Sequence, residues 1–302
     1  MTTAAASGRS GSFIAACVQM RSTTDPAVNR EAALAAIAEA ADHGAAYVQT
    51  PEMTSLLVRE RKDLLAKVSD QAHDPLIADA RELARARRIT IHLGSLPLRE
   101  GEKIANRAIV IDAEGEIAAT YDKIHLFDVD LPNGESWRES NTYVGGSQAV
   151  LAPLQAGGQS AQLGLSICYD LRFPYLYRTL AELGAGILTA PACFTRQTGE
   201  AHWQVLQRAR AIENGAYMIS AAQGGLHEDG RQTYGHSIIV DPWGKVLAEA
   251  GSEPGVIYAA IDMEMVTQVR ARIPSLRHTR LFSLPETNDS DGQWPDAPEG
   301  IG

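Results

Sequence analysis

Short apolar runs rich in β-branched residues alternate along this chain with longer amphipathic runs, and that alternation restricts its fold more than any other feature. Residues 13–19 (FIAACVQ) read as a buried strand. Asp25-Pro26 opens a helix, with the aspartate as N-cap and the proline at the first helical position, and Gly44 closes it. Residues 47–49 form a second strand, cut off by Thr50-Pro51. Asp74-Pro75 repeats the opening signal for a helix running to Arg88, and strand 90–96 follows. A hairpin is predicted from 105–111 and 116–121 about a turn at 112–115. Residues 123–147 carry no period, and a loop of that length inside a compact domain is usually functional or disordered. Beyond it come strand 164–167, helix 174–183, strand 186–190, helix 202–213 and strand 217–222. Strands 237–240, 245–249 and 256–261 and a helix over 263–272 close the pattern.

This is α/β architecture in one domain, since no linker, repeat or low-complexity tract divides the 302 residues. Residues 12–283 are expected to form that domain, between a disordered tail over 1–11 and a loose tail over 284–302. An apolar share of 45% excludes an intrinsically disordered chain. A net charge of −10 argues against nucleic acid or an anionic membrane as partner, because each requires a basic face. No run approaches the roughly 18 apolar residues of a membrane span, and the first residues lack the apolar stretch of a signal peptide. The expectation is a cytoplasmic protein whose partner is a small molecule.

Three cysteines, Cys17, Cys168 and Cys193, are too few and too scattered for a disulfide framework or a zinc site. Cys17 lies mid-strand and reads as core. Cys193 follows a strand end, where it can line a pocket. Cys168 stands at a strand-to-helix turn. Such a turn exposes a side chain at the sheet edge, gathers backbone N–H groups around it, and places it near a helix N-terminus whose partial charge favours thiolate. That is what an acyl-transfer nucleophile requires, although a free cysteine is often a small buried hydrophobe. His125 and His202 are conceivable bases. Glu52 and Lys123, however, each stand just past a strand as Cys168 does, and the three could converge above one sheet.

The segments PEM (Glu52), YDKIHLF (Lys123) and ICYDLRFP (Cys168), in that order and spaced by 71 and 45 residues, resemble the Glu-Lys-Cys triad of the nitrilase superfamily of carbon–nitrogen hydrolases. AHWQVLQRARAIENGAY and YGHSIIVDPWG resemble the Nit subgroup, and within it the deaminated glutathione amidases first and the omega-amidases next. The resemblance implies a four-layer α-β-β-α sandwich, two stacked mixed sheets flanked by helices, paired into a homodimer or higher homo-oligomer. Glu139 matches a second glutamate that the family places near the triad, and Arg172 matches a position that holds a substrate carboxylate. The stretch Val129 to Arg138 matches neither subgroup.

The implied reaction is amide hydrolysis through a thioester on Cys168, with no metal or organic cofactor. Glu52 acts as general base and acid, Lys123 and the Tyr169 N–H hold the oxyanion, and Cys193 supports the pocket. The nitrogen is expected to leave as ammonia. Deaminated glutathione is the favoured substrate, with alpha-ketoglutaramate, alpha-ketosuccinamate or an N-carbamoyl amine as alternatives. Two further readings remain open. Glu52 and Glu139 could be the paired carboxylates of a glycosidase, or the chain could be a binding protein that kept the fold. Ser166, in a GxSxG-like start that ends in cysteine, is a bystander.

Overall fold

The first strand shows why the sequence alternates as it does. In β1 (Phe13–Gln19), Phe13, Ala15 and Cys17 face one apolar core while Ala16 and Val18 face another. A strand buried on both sides reads as an unbroken apolar run, because successive side chains point to opposite faces. In the computed structural model residues 11–131, 134 and 136–283 are described; the expected tails over 1–11 and 284–302 lie, apart from Gly11, outside them.

From β1 the chain passes through α1 (Pro26–Asp42), β2 (Ala45–Gln49), α2 (Arg61–Lys67), α3 (Pro75–Arg87), β3 (Thr90–Glu100), β4 (Lys103–Ile111) and β5 (Ile117–Asp122). The region of residues 123–147 holds a small hairpin, β6 (Asp128–Asp130) and β7 (Ser136–Arg138), and a short β8 (Tyr143–Val144). The second half runs β9 (Leu151–Ala156), β10 (Gln159–Gly164), α4 (Pro174–Glu182), β11 (Ile187–Thr189), α5 (Arg196–Asn214) and β12 (Tyr217–Ser220). It ends with β13 (Gly224–Leu226), β14 (Gln232–Tyr234), β15 (Ile238–Val240), β16 (Val246–Glu249), β17 (Gly255–Ile261) and α6 (Met263–Arg272). Both aspartate caps form as expected: Asp25 accepts from Ala27 N–H, and Asp74 from Leu76 and Ile77 N–H.

The strands assemble into two sheets. One has the order β17-β1-β2-β3-β4-β5, with β8 beside β4, and the other the order β16-β15-β12-β11-β10-β9. One core joins Ala15, Tyr47, Val110 and Tyr121 of the first sheet to Leu154, Leu163, Leu188 and Ile239 of the second, so the sheets stack face to face. Ile37, Leu76 and Ile77 cover the outer face of the first sheet from α1 and α3; Leu180 and Trp203 cover the second from α4 and α5. The layers run α-β-β-α, as expected.

Strand directions place the chemistry. β1, β2 and β3 are parallel, and β4 is antiparallel to both β3 and β5, so β2 and β5 end at the same edge. β10, β11 and β12 are likewise parallel. Glu52 and Lys123 follow β2 and β5; Cys168 and Cys193 follow β10 and β11. The expectation that these residues meet above a single sheet is therefore corrected: they come from both.

Other boundaries shift as well. The strand before Cys168 ends at Gly164, with 165–167 as an extended lead into the turn. α5 begins at Arg196, six residues before the expected start, and Gly199 inside it allows the helix to press on Tyr234, whose ring a Cβ there would meet at 2.4 Å.

Candidate active site

Glu52 lies in a loop that continues the β2–β3 ladder past the strand end, with Thr50 N–H donating to His92 O, Ser95 N–H to Pro51 O and Thr54 N–H to Ser95 O. That close approach needs Gly94. A Cβ there would stand 2.0 Å from Thr50 O, 2.8 Å from Pro51 O and 2.5 Å from Pro191 Cβ. Gly94 thus sits where the Glu52 loop of one sheet meets the Pro191 segment of the other. Gln223 Nε2 donates to the carbonyls of Glu52 and Met53 at 3.0 and 3.2 Å, fixing the loop from a third side.

The Glu52 carboxylate is 3% exposed. Its Oε1 accepts from Lys123 Nζ at 3.0 Å and Asn106 Nδ2 at 2.9 Å, and its Oε2 from the Cys193 N–H at 2.8 Å. Lys123, as deeply buried, also donates to Glu139 at 2.9 and 3.2 Å, and Asn106 Nδ2 reaches Glu139 Oε1 at 3.2 Å. An ammonium and an amide thus bridge two carboxylates. Glu139 accepts in addition from the Phe127 N–H at 2.7 Å, which fixes it over the loop. Asn106 went unnoticed in the sequence. Its signal is an amide within the run Ile104 to Ile111, where the neighbours on its own face are apolar or small and a buried polar side chain needs a partner.

Cys168 occupies the left-handed region at φ +50°, and its N–H donates to Pro191 O at 3.0 Å. Asp170 builds this turn. Its carboxylate accepts from the Ile167 N–H, the Tyr121 hydroxyl, and both the backbone and ring nitrogens of His125. His125 is committed to Asp170, and His202 stands 3.2 Å from Arg172 Nη1, so neither is placed as base for the thiol. Ser166 donates its hydroxyl to Thr189 O, as a bystander would.

Burial pushes the Glu52 carboxyl up, but the Lys123 ammonium, the Cys168 thiol that donates to it and the Asn106 amide outweigh burial and hold it below its ordinary value. Burial would lower Lys123, yet Glu139 and Glu52 raise it well above its usual range. For Cys168, burial and then the Glu52 charge raise the thiol well above its usual range, against Lys123 and the Cys193 N–H. The expectation that a helix N-terminus favours thiolate is thereby corrected. The helix that begins at Cys168 is one short turn, and a neighbouring carboxylate opposes ionisation more strongly.

These groups line one cleft of about 260 Å³. Tyr169, Phe127 and Trp137 form an aromatic wall, with ring centroids 5.1 and 6.5 Å apart in turn. Arg172 lies over Tyr169 and Phe194 and is paired with no carboxylate among the described residues. Cys193 lines the cleft too; burial pushes its thiol up to about 12, and Arg231 Nη1 is 3.9 Å from its sulfur. The glycosidase alternative does not fit, because Lys123 and Asn106 fill the space between Glu52 and Glu139 that a glycosidic oxygen would need. Cys17 is fully buried in the core between the sheets.

The model of the carbon-nitrogen hydrolase family matches residues 14–271. The chain belongs to that family. Its members hydrolyse carbon–nitrogen bonds, and this chain is a hydrolase of that kind. It is 42% identical over 278 residues to a deaminated glutathione amidase of Synechocystis sp. (strain PCC 6803 / GT-S), covering 89% of this chain and 98% of the relative. It is 37% identical to the deaminated glutathione amidase of Homo sapiens, over 89% and 82% of the two chains. Among solved structures, the C. elegans NitFhit protein superposes with a TM-score of 0.81 at 35% identity, over 90% of this chain and 66% of that longer one. An amidase from Nesterenkonia sp. AN1 superposes with a TM-score of 0.72 at 30% identity, over 88% and 97%. That structure, a glutamate-to-glutamine mutant, carries the acetamide moiety of fluoroacetamide on its active site cysteine.

Proposed function

We propose that this carbon-nitrogen hydrolase is an amidase that cleaves deaminated glutathione through a thioester on Cys168. The observation that carries this reading is a cysteine that lines one cleft with a buried carboxylate, a buried ammonium and the guanidinium of Arg172, which no carboxylate among the described residues neutralises. Glu52 takes the proton as the sulfur attacks the amide carbon. An ammonium has three N–H donors; with one Lys123 donor on Glu52 and one shared between the two oxygens of Glu139, the third is left for the oxyanion. The Tyr169 N–H, in a first helical turn whose N–H groups lack intrahelical partners, is suited to supply a second. Protonated Glu52 then gives its proton to the departing nitrogen, and the carbonyl reforms as thioester. A water deprotonated by Glu52 cleaves the thioester and returns the proton to sulfur.

Deaminated glutathione is a secondary amide, so its nitrogen leaves as the amine of the dipeptide cysteinylglycine. Ammonia would leave from the primary amide of alpha-ketoglutaramate, the substrate of the omega-amidase alternative. Arg172 favours either keto acid amide over an N-carbamoyl amine, because a guanidinium pairs bidentately with a carboxylate. The free thiols of all three cysteines suit the reducing cytoplasm, where we place the enzyme.

The test is kcat/KM for deaminated glutathione against a neutral aliphatic amide, read as keto acid and amine released. A preference of at least ~100-fold is expected, the size that follows when a buried charge loses its partner. Arg172→Ala should raise KM for the acidic substrate far more than for the neutral one. Cys168→Ser should lower kcat by about 10³ or more with the fold intact. Equal turnover of neutral and acidic amides would end the substrate reading, and a Cys168→Ser enzyme within tenfold of wild type would end the thioester.

A further inference from the structure

The cleft holds a second guanidinium that the reaction above leaves unused. Arg231 comes from the turn of the β13–β14 hairpin, and its side chain is 16% exposed. It stacks over the Trp137 ring at 4.9 Å, and Arg59, also lining the cleft, lies 5.3 Å from the same ring. Asp229 stands 3.4 Å from Nη2, yet Arg231 Nε is buried with no hydrogen-bond partner among the described residues. A buried N–H is normally satisfied, so an orphaned one on a residue that lines the cleft is suited to an acceptor that a ligand brings. In a chain of net charge −10, Arg59, Arg138, Arg172 and Arg231 all line this one cleft.

Arg231 and Arg172 reach the triad from different sides. Arg231 meets Cys193 through its sulfur, and the N–H of that same residue donates to Glu52 Oε2. Gln223, just before β13, ties this hairpin to the carbonyls of Glu52 and Met53. Arg231 therefore belongs to the Glu52 side. Arg172, four residues beyond Cys168, belongs to the nucleophile's own turn. The rings of Trp137, Phe127 and Tyr169 run between them, with a guanidinium stacked at each end.

Chemistry then orients the substrate. Glu52 delivers the proton to the departing nitrogen, so the leaving group lies on the Glu52 side of the scissile bond. We propose that Arg231 binds a carboxylate carried by the leaving amine while Arg172 binds the carboxylate of the acyl part. The favoured substrate is then an amide with an anionic group on both sides of the scissile bond, rather than a primary amide. This rests on the amidase reading above and adds a specificity residue to it.

Three substrates with one keto-acyl group test the idea: the amide of cysteinylglycine with its free C-terminal carboxylate, the same compound with that terminus blocked as carboxamide, and the primary amide. The wild-type enzyme should prefer the free carboxylate to the carboxamide by about 10- to 100-fold in kcat/KM. Arg231→Gln should bring that ratio to within about threefold, and Arg231→Lys should keep part of it, since the charge remains and the fork is lost. Arg172→Ala should lower all three substrates and leave the ratio. Equal turnover of carboxylate and carboxamide by the wild type, or an unchanged ratio in Arg231→Gln, would overturn the assignment while the amidase reading stands. If Arg231→Gln did not fold, Arg231→Lys would decide, since a carboxylate-to-carboxamide ratio unchanged from wild type in that variant would overturn the assignment. Turnover of none of the three would overturn the amidase reading and this inference with it.

Discussion

A thiol buried beside a carboxylate keeps its proton to higher pH than one in water, and Cys168 is held in that position by Glu52. Glu52 is displaced the other way: burial raises it, but Lys123, Cys168 and Asn106 together outweigh burial and hold it below its ordinary value. The working state of the proposed mechanism, Glu52 carboxylate with Cys168 thiol and Lys123 ammonium, is then the resting state over a wide range. The sign follows: a lowered carboxyl stays ionised as pH falls until below the usual carboxylate range, and a raised thiol stays protonated as pH rises past the usual thiol range. We expect kcat/KM to be flat through neutrality, with its acid limb below the limb an ordinary glutamate would give. Asn106 is a positioning residue in this account, since its amide stabilises ionised Glu52 while also reaching Glu139. Asn106→Ala should move the acid limb to higher pH, and Asn106→Asp, which sets a third carboxyl against the other two, should move it further. A limb left in place in both variants would reduce Asn106 to packing. Glu52, Lys123 and Cys168 became candidates because each falls just past a strand, where sites gather in α/β folds, and it was the resemblance of their three motifs that joined them into a triad. Asn106 and Arg231 were not. The first resembles any polar residue on a strand, and the second sits in a Gly-rich turn whose direction no local pattern reveals.

The elements that sequence periodicity predicted best are those with a strong local cap or a long apolar face. α1 and α3 start at their Asp-Pro signals, and β1 has the expected bounds. The elements it missed are short and held by tertiary partners. The β6–β7 hairpin spans three residues a side, β13–β14 likewise, and α2 is a seven-residue helix with Leu64 as its buried anchor. β9 and the first part of β10 carry Pro, Gln and Ser in place of β-branched residues, and pair with each other as an antiparallel hairpin at the end of the sheet. Strand β3 makes the most specific demand. With Thr50 O at 2.0 Å from the Cβ that Gly94 lacks, Gly94→Ala must push the Glu52 loop and the Pro191 segment apart. Overpacking of this kind costs about 1–3 kcal/mol, and a displacement of about 1 Å at a catalytic base can cost on the order of 10² in rate. The variant should lower both Tm and kcat. A Gly94→Ala enzyme with wild-type kcat would show that the spacing between the two loops does not set the alignment of Glu52 with Cys168.

At the scale of the molecule, the site depends on two sheets meeting along one edge, so the core between them is what aligns Glu52 and Lys123 with Cys168. The outer layers carry a different feature. On α5, Val205 and Ile212 are 67% and 52% exposed, and Trp243, on the turn between β15 and β16, is 54% exposed. The absent side chain of Gly244 leaves room for Ile212, whose Cδ1 a Cβ there would meet at 2.5 Å, so this apolar surface runs from helix to turn. Contiguous exposed apolar surface is unusual on a monomer, and two chains of net charge −10 repel one another unless an apolar contact offsets that repulsion. If the chain pairs into the homodimer that the family resemblance implies, this face is where the second copy is predicted to pack. Sedimentation at micromolar concentration should give a dimer for the wild type, and Val205→Glu combined with Ile212→Glu should give a folded monomer, since each copy then sets carboxylates against its mate. A monomeric wild type, or a variant that stays dimeric, would remove the assignment. The cleft is lined from β2, β5, β7, β10, β11 and β13–β14 surroundings within one chain, so the monomeric variant should still turn over substrate, and any loss of rate would report how far pairing steadies α5 and the second sheet beneath Cys168.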